Sequence, residues 1–132
     1  METKKRILIV DDDVDFVQST KDLLEAYGYE VTTAHNGTDG LRKAIAEHPN
    51  LMILDVMMAT NTEGFEVARR IPETPELRNL PVVMVTGVAR EMKLGFKFEP
   101  DATWLPVDRL LEKPVEPTRL LSTIEKLLKI KA

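Results

Sequence analysis

Four uninterrupted apolar runs punctuate the chain: Ile7-Leu8-Ile9-Val10, Leu51-Met52-Ile53-Leu54, Val82-Val83-Met84-Val85 and the shorter Leu110-Leu111. Such runs are too short for helices and lack polar alternation, so they predict strands buried on both faces, as in a parallel sheet. Glu30-Val31-Thr32-Thr33-Ala34 is β-branched and reads as a further strand. Between the strands the period changes to 3.6. Phe16, Val17, Thr20, Leu23, Leu24 and Tyr27 share one face of a helix from about Val14 to Tyr27, with Asp13 as its N-cap and Gly28 as its stop. Asn36-Gly37 signals a turn, and Thr38 is placed to cap a helix with an inward stripe of Leu41, Ala44 and Ile45, barred from continuing by Pro49. A third helix is expected from about Phe65 to Ile71, broken by Pro72 and Pro75. The last, from about Thr118 to Ile130, carries a stripe of Leu120, Leu121, Ile124, Leu127 and Leu128. Residues 87–109 predict an irregular fourth helix region: Val88 to Lys93 fits a short helix, Gly95, Pro100 and Pro106 interrupt anything long, and Phe96-Lys97-Phe98 alternates like a strand.

Strands alternate with helices five times. That pattern predicts an α/β fold: a doubly wound, five-stranded parallel sheet with helices on both faces and right-handed crossovers. The strand order 2-1-3-4-5 is its natural form.

Composition narrows the reading. A length of 132 residues fits one domain, taken here as residues 1–132, with enough chain to bury a sizeable core. No apolar run approaches the ~20 residues that span a bilayer, and the apolar run after the basic start is too short for a signal peptide. No membrane partner and a cytoplasmic location are therefore expected. The absence of cysteine agrees, and excludes disulfides, thiolate metal sites and cysteine nucleophiles. A formal net charge of −4 argues against nucleic acid as a partner.

The apolar runs also deliver chemistry. The first leads into Asp11, Asp12 and Asp13, the second into Asp55, the third into Thr86, and the short fourth, through Glu112, into Lys113. In an open α/β sheet the carboxyl ends of the strands are where ligands bind. Several carboxylates at one sheet edge repel each other, and a hard divalent cation such as Mg²⁺, together with the Lys113 ammonium, relieves that repulsion. Asp55 is then placed to attack phosphorus as a carboxylate nucleophile, giving an acyl phosphate, while the cation, Thr86 and Lys113 neutralise the equatorial oxygens.

These residues make the chain resemble a two-component response-regulator receiver domain. The resemblance runs from about residue 6 to 130. It rests on the acidic pair after the first strand, the Leu-Asp-Val-Met-Met segment around Asp55, Gly64-Phe65-Glu66, the Thr86 strand and Lys113-Pro114. It implies the flavodoxin-like fold of the chemotaxis regulators, whose strand order is the one given above. It implies Asp55 as phosphoacceptor, Asp12 as a direct Mg²⁺ ligand, Asp11 acting mainly through bound water, and the backbone carbonyl of Met57 as a further ligand. Thr86 and Lys113 hold the phosphoryl oxygens, with a cis Lys113-Pro114 bond aiming the lysine. The implied activity is that of a signalling regulator, not an enzyme acting on other substrates. The implied partners are a histidine kinase or histidine phosphotransfer protein as donor, an output protein, and a second copy of the chain as a dimer mate.

The sequence departs from the family in three places. The usual proline after the Met-Met segment is Ala59, before a loop longer than usual. The stretch between Thr86 and Lys113 is also longer than usual. The family's switch aromatic falls at Leu110. From these departures an altered output surface is expected, with at least one of Phe96, Phe98 and Trp104 exposed as an anchor. A long-lived phosphoryl group is also expected, because Met57 and Val88 have no group to orient water.

Taken singly, each site residue has a plainer reading: Asp11 to Asp13 as helix caps, Asp55 as a turn residue, Thr86 as a β-former, Lys113 as a solvated lysine. The functional reading rests on their arrival at consecutive strand ends. His35 and His48 lack metal-ligand spacing and read as surface residues. Two rivals remain. One is a haloacid-dehalogenase-like phosphatase with Asp11 as nucleophile and Asp13 as acid/base. The other is a phosphorylation-independent scaffold of the same fold.

Overall fold

In a computed structural model, residues 4–55, 63–86, 108–113 and 115–131 are described. Among them five strands form one parallel sheet: β1 (Arg6–Val10), β2 (Glu30–Ala34), β3 (Leu51–Asp55), β4 (Val82–Thr86) and β5 (Arg109–Glu112). Their order is β2-β1-β3-β4-β5, the order that the family resemblance implies. Four helices accompany them: α1 (Val14–Ala26), α2 (Gly37–Glu47), α3 (Glu63–Glu73) and α4 (Pro117–Lys131), with a 3₁₀ turn at Pro75–Leu77. None of these is long and apolar enough to cross a membrane.

The apolar runs are buried on both faces because successive side chains point to opposite sides of the sheet. Leu8, Val10, Met52, Leu54, Val82 and Met84 face one side, where Ala44 of α2 and Val67, Ala68 and Ile71 of α3 cover them. Ile7, Ile9, Leu51, Ile53, Val83, Val85 and Leu111 face the other, under Val17 and Leu24 of α1 and Leu120, Ile124 and Leu127 of α4. Each side chain so buried contributes roughly 1.5–3 kcal/mol, which makes the central strands the rigid part of the molecule. At the amino ends, the Asn50 backbone N–H donates to the Arg6 carbonyl (2.7 Å) and the Asn50 side chain accepts from the Arg6 N–H (2.8 Å). These bonds lock β1 and β3 in register.

The helix ends show where local signals were read correctly and where they were not. Asp13 caps α1, its carboxylate accepting from the Phe16 N–H at 3.1 Å. Gly28 follows α1 with φ +90°, a conformation open to glycine. Tyr27 is not on the buried face. It lies one residue past the helix, where the backbone has turned, and is 67% exposed. The cap of α2 is Asn36, not Thr38: its side chain accepts from the Asp39 N–H at 2.8 Å. Ile45, expected on the inward stripe, is 42% exposed, because the buried face of α2 is that of Gly37, Gly40 and Ala44. Helix α2 lies so close to β1 that a Cβ on Gly40 would meet both Val10 methyls at 2.8 Å. Helix α3 is longer than expected at both ends and takes in Gly64 and Pro72. Pro72 sits in the last turn, so the helix does not have to continue past it, and Thr74 caps two of the terminal carbonyls. The Thr74 N–H donates to Ile71 at 3.2 Å and its hydroxyl donates to Arg70 at 2.7 Å. Residues 87–107, with the expected irregular helix and Phe96, Phe98 and Trp104, lie outside the described residues.

Candidate functional site: an acid cluster with one ammonium

The order β2-β1-β3-β4-β5 places β1 beside β3 at the centre of the sheet, so their carboxyl ends are neighbours. Asp11 follows β1 and Asp55 ends β3, and both are nearly sealed from solvent, at 1% and 7% exposure. Asp12 projects beside them and is exposed. One carboxylate oxygen from each of Asp11, Asp12 and Asp55 falls within 4.8 Å of the others. Three hard oxygen donors at that spacing suit a hard divalent cation, and the donor set fits such an ion.

The ammonium arrives from the far end of the chain. Lys113 follows β5, and its Nζ donates to Asp11 Oδ2 at 2.9 Å and lies 3.8 Å from Asp55 Oδ1. The second oxygen of Asp11 accepts from the Asp13 N–H at 2.9 Å. Asp11 is thus held from both sides, while Asp55 faces the lysine beyond hydrogen-bond distance. Thr86 closes β4, in register with Glu112, the residue before Lys113. Asp13 stands apart as the α1 cap. Met57, Val88 and Pro114 lie outside the described residues.

The electrostatics follow from the packing. Burial pushes the Asp55 carboxyl up to about 7; the charge of Asp11 adds to this, Lys113 opposes it, and Asp11's hydrogen bond and Asp12 raise it further. At neutral pH, therefore, Asp55 carries its full charge only when positive charge is added nearby. Burial draws the Lys113 ammonium down, but its hydrogen bond to Asp11 and the charges of Asp11, Asp55 and Asp13 outweigh that and leave it above its ordinary value. It stays protonated.

Two features escape sequence reasoning. The Lys113 ammonium sits over the face of Phe16, 4.4 Å from the ring centroid. Phe16 reads from its spacing as one more residue of the α1 stripe, and nothing local marks its contact with a lysine 97 positions away. Ring nitrogen Nδ1 of exposed His35 lies 3.3 Å from the Asp11 carbonyl, to which its Nδ1–H tautomer donates. His48, also exposed, takes a left-handed conformation (φ 49°) at the end of α2. A hollow of about 260 Å³ lined by Lys5, His48, Asn50, Glu76 and Leu128, among others, lies at the amino ends of the strands. It is remote from the carboxylates, so chemistry and not volume marks the site.

The model of the response regulator receiver domain matches residues 7–125. The chain belongs to that family. It is 32% identical over 126 residues to Protein PilH of Pseudomonas aeruginosa, covering 93% of this receiver and 97% of that protein. It is 31% identical over 125 residues to the alkaline phosphatase synthesis transcriptional regulatory protein PhoP of Bacillus subtilis, covering 95% of this receiver. The match covers only 49% of PhoP, so the receiver spans about half the length of that relative. Among solved structures, the CheY-like receiver domain protein of Methanospirillum hungatei superposes with a TM-score of 0.81 at 32% identity, over 98% of this chain and 97% of that one. The receiver is thus a module of two-component signalling, a regulator in kind.

Proposed function

We propose that this receiver takes a phosphoryl group from a partner histidine kinase or histidine phosphotransfer protein onto Asp55, in a reaction that uses Mg²⁺. The observation that supports it most directly is the Lys113 ammonium, hydrogen-bonded to Asp11 and 3.8 Å from Asp55, at the rim of a three-carboxylate cluster. Asp11, Asp12 and Asp55, with the Met57 carbonyl, would hold the ion. When bound, Mg²⁺ supplies the positive charge that keeps Asp55 ionised and offsets charge on the phosphoryl oxygens.

The steps assigned to the chain are few. An oxygen of Asp55 forms a bond to phosphorus as the phosphorus–nitrogen bond of the donor's phosphohistidine breaks. The electron pair stays on the imidazole, which takes up a proton. Lys113 and the Thr86 hydroxyl bind the equatorial oxygens, over which the charge of the transition state is spread. Hydrolysis of the acyl phosphate by water returns the Asp55 carboxylate and inorganic phosphate. Output follows from binding another protein, or a second copy of this chain, differently in the two states.

A phosphatase reading with Asp11 as nucleophile is disfavoured by packing. Asp11 is sealed, and its two oxygens accept from the Asp13 N–H and from Lys113. The test is intact-mass measurement after incubation with acetyl phosphate and Mg²⁺. One base-labile phosphoryl adduct should form on the parent and none on Asp55→Ala. Full labelling of Asp55→Ala would refute the assignment.

A further inference from the structure

We infer that Phe16 is a positioning residue for the Lys113 ammonium. This rests on the phosphoacceptor reading above and adds a residue that no strand-end argument supplies. Lysine carries its charge on a flexible four-carbon stem with three donors and no fixed orientation. A lysine that must meet a phosphoryl group therefore needs its free conformers restricted beforehand. Asp11 restrains Lys113 by one hydrogen bond of 2.9 Å. Asp55, at 3.8 Å, makes no hydrogen bond to it. Among the described residues, the Phe16 ring supplies a further contact, its centroid 4.4 Å from Nζ.

The ring is well suited to this. Its face attracts a cation, yet it cannot take the proton and offers no lone pair that competes with a phosphoryl oxygen. It is itself held, since Phe16 lies in the first turn of α1, directly after the Asp13 cap, and packs against the core beneath α1 and α4. The same turn therefore fixes Asp11, through the Asp13 N–H, and the ring that faces Lys113. The lysine side chain is 22% exposed, so the contact with the ring is only partly shielded from solvent.

The experiment has two arms. In the first, NMR of the unphosphorylated protein follows the Lys113 ε-methylene protons. They should be shifted upfield by the ring in the parent and in Phe16→Tyr, and should move toward ordinary lysine positions in Phe16→Leu. The second arm measures the rate of Asp55 phosphorylation by acetyl phosphate with saturating Mg²⁺, a donor that needs no docking surface. Phe16→Leu, which keeps apolar volume, should be slower by about three-fold, the scale of one partly exposed cation–ring contact. Phe16→Tyr should restore the parent rate. Equal rates for parent and Phe16→Leu, a Phe16→Tyr as slow as Phe16→Leu, or no ring shift in the parent would each overturn the inference. A parent that takes no phosphoryl group would overturn the phosphoacceptor reading and the rate effect with it. The ring shift would still decide whether Phe16 holds the ammonium.

Discussion

Replacing Asp55 by asparagine should make the metal-free protein more stable at alkaline pH, although it removes the central residue of the site. Asp55 is 7% exposed, and its carboxyl is raised from an ordinary value of 3.8 to about 7, first by burial and then by Asp11. For an acid whose folded-state pKa is raised, the folded state holds a proton that the unfolded state has released. Stability is present in full below about 3.8 and is lost as pH rises toward 7. A gap of about three pKa units corresponds to at most about 4 kcal/mol at pH 8. Asparagine stays neutral and avoids this loss, but its amide cannot reproduce the hydrogen bonding of a protonated carboxyl. The net gain should be roughly 2 kcal/mol, or about 7 °C in Tm for a chain of this length. Thermal melts in EDTA at pH 5 and pH 8 supply the measurement. The gap between variant and parent should be small at pH 5 and open at pH 8, and Mg²⁺ should close it by stabilising the parent alone. A gap that does not change with pH would refute the reasoning, because burial of a charged Asp55 would then cost nothing.

Lys113→Ala should lower metal-free stability by roughly 2 kcal/mol at pH 7.5, since it strands the buried Asp11 carboxylate. It should keep Mg²⁺ binding, read by calorimetry, and lose most of its phosphorylation rate; loss of Mg²⁺ binding instead would contradict the separate roles given to lysine and acids. Gly40→Ala should destabilise by about 1–3 kcal/mol in urea titrations despite alanine's better helix propensity, because the new methyl meets Val10 at 2.8 Å. An unchanged or raised midpoint would show that α2 can retreat from β1.

Much of this molecule can be read without coordinates because its strands are written as unbroken apolar runs, and such runs have few alternative uses. Ile7 to Val10 and Leu51 to Leu54 could hardly be anything but inner strands, and each carries its acid at a fixed offset. The same legibility extends to Lys113, since β5 leads directly to it. Reading fails where two local signals compete or where a contact is long-range. Asn36 and Thr38 are both good caps, and only the packing of α2 on β1 decides between them. Pro72 is a helix breaker by rule, yet a last turn backed by Thr74 accommodates it. The Phe16 ring serves the α1 stripe and the site together, and spacing reports only the first.

Asp11 and Lys113 stand 102 positions apart in the chain and touch in the fold. A folding chain can pair β1 with β3 once its first half has collapsed. At that stage Asp11, Asp12 and Asp55 already crowd together with no ammonium among them. Like charges so placed oppose the half-built sheet, and the opposition lifts only when β5 joins β4 and brings Lys113 over the carboxylates. Long-range closure is the slow part of folding a parallel sheet, and here it is also the step with the electrostatic reward. The last strand therefore does more than complete the sheet: its docking brings the one ammonium of the described cluster to the carboxylates. Refolding at pH 8 should quicken when Mg²⁺ is present from the start, and refolding at pH 5, where Asp55 takes up a proton as it is buried, should gain far less.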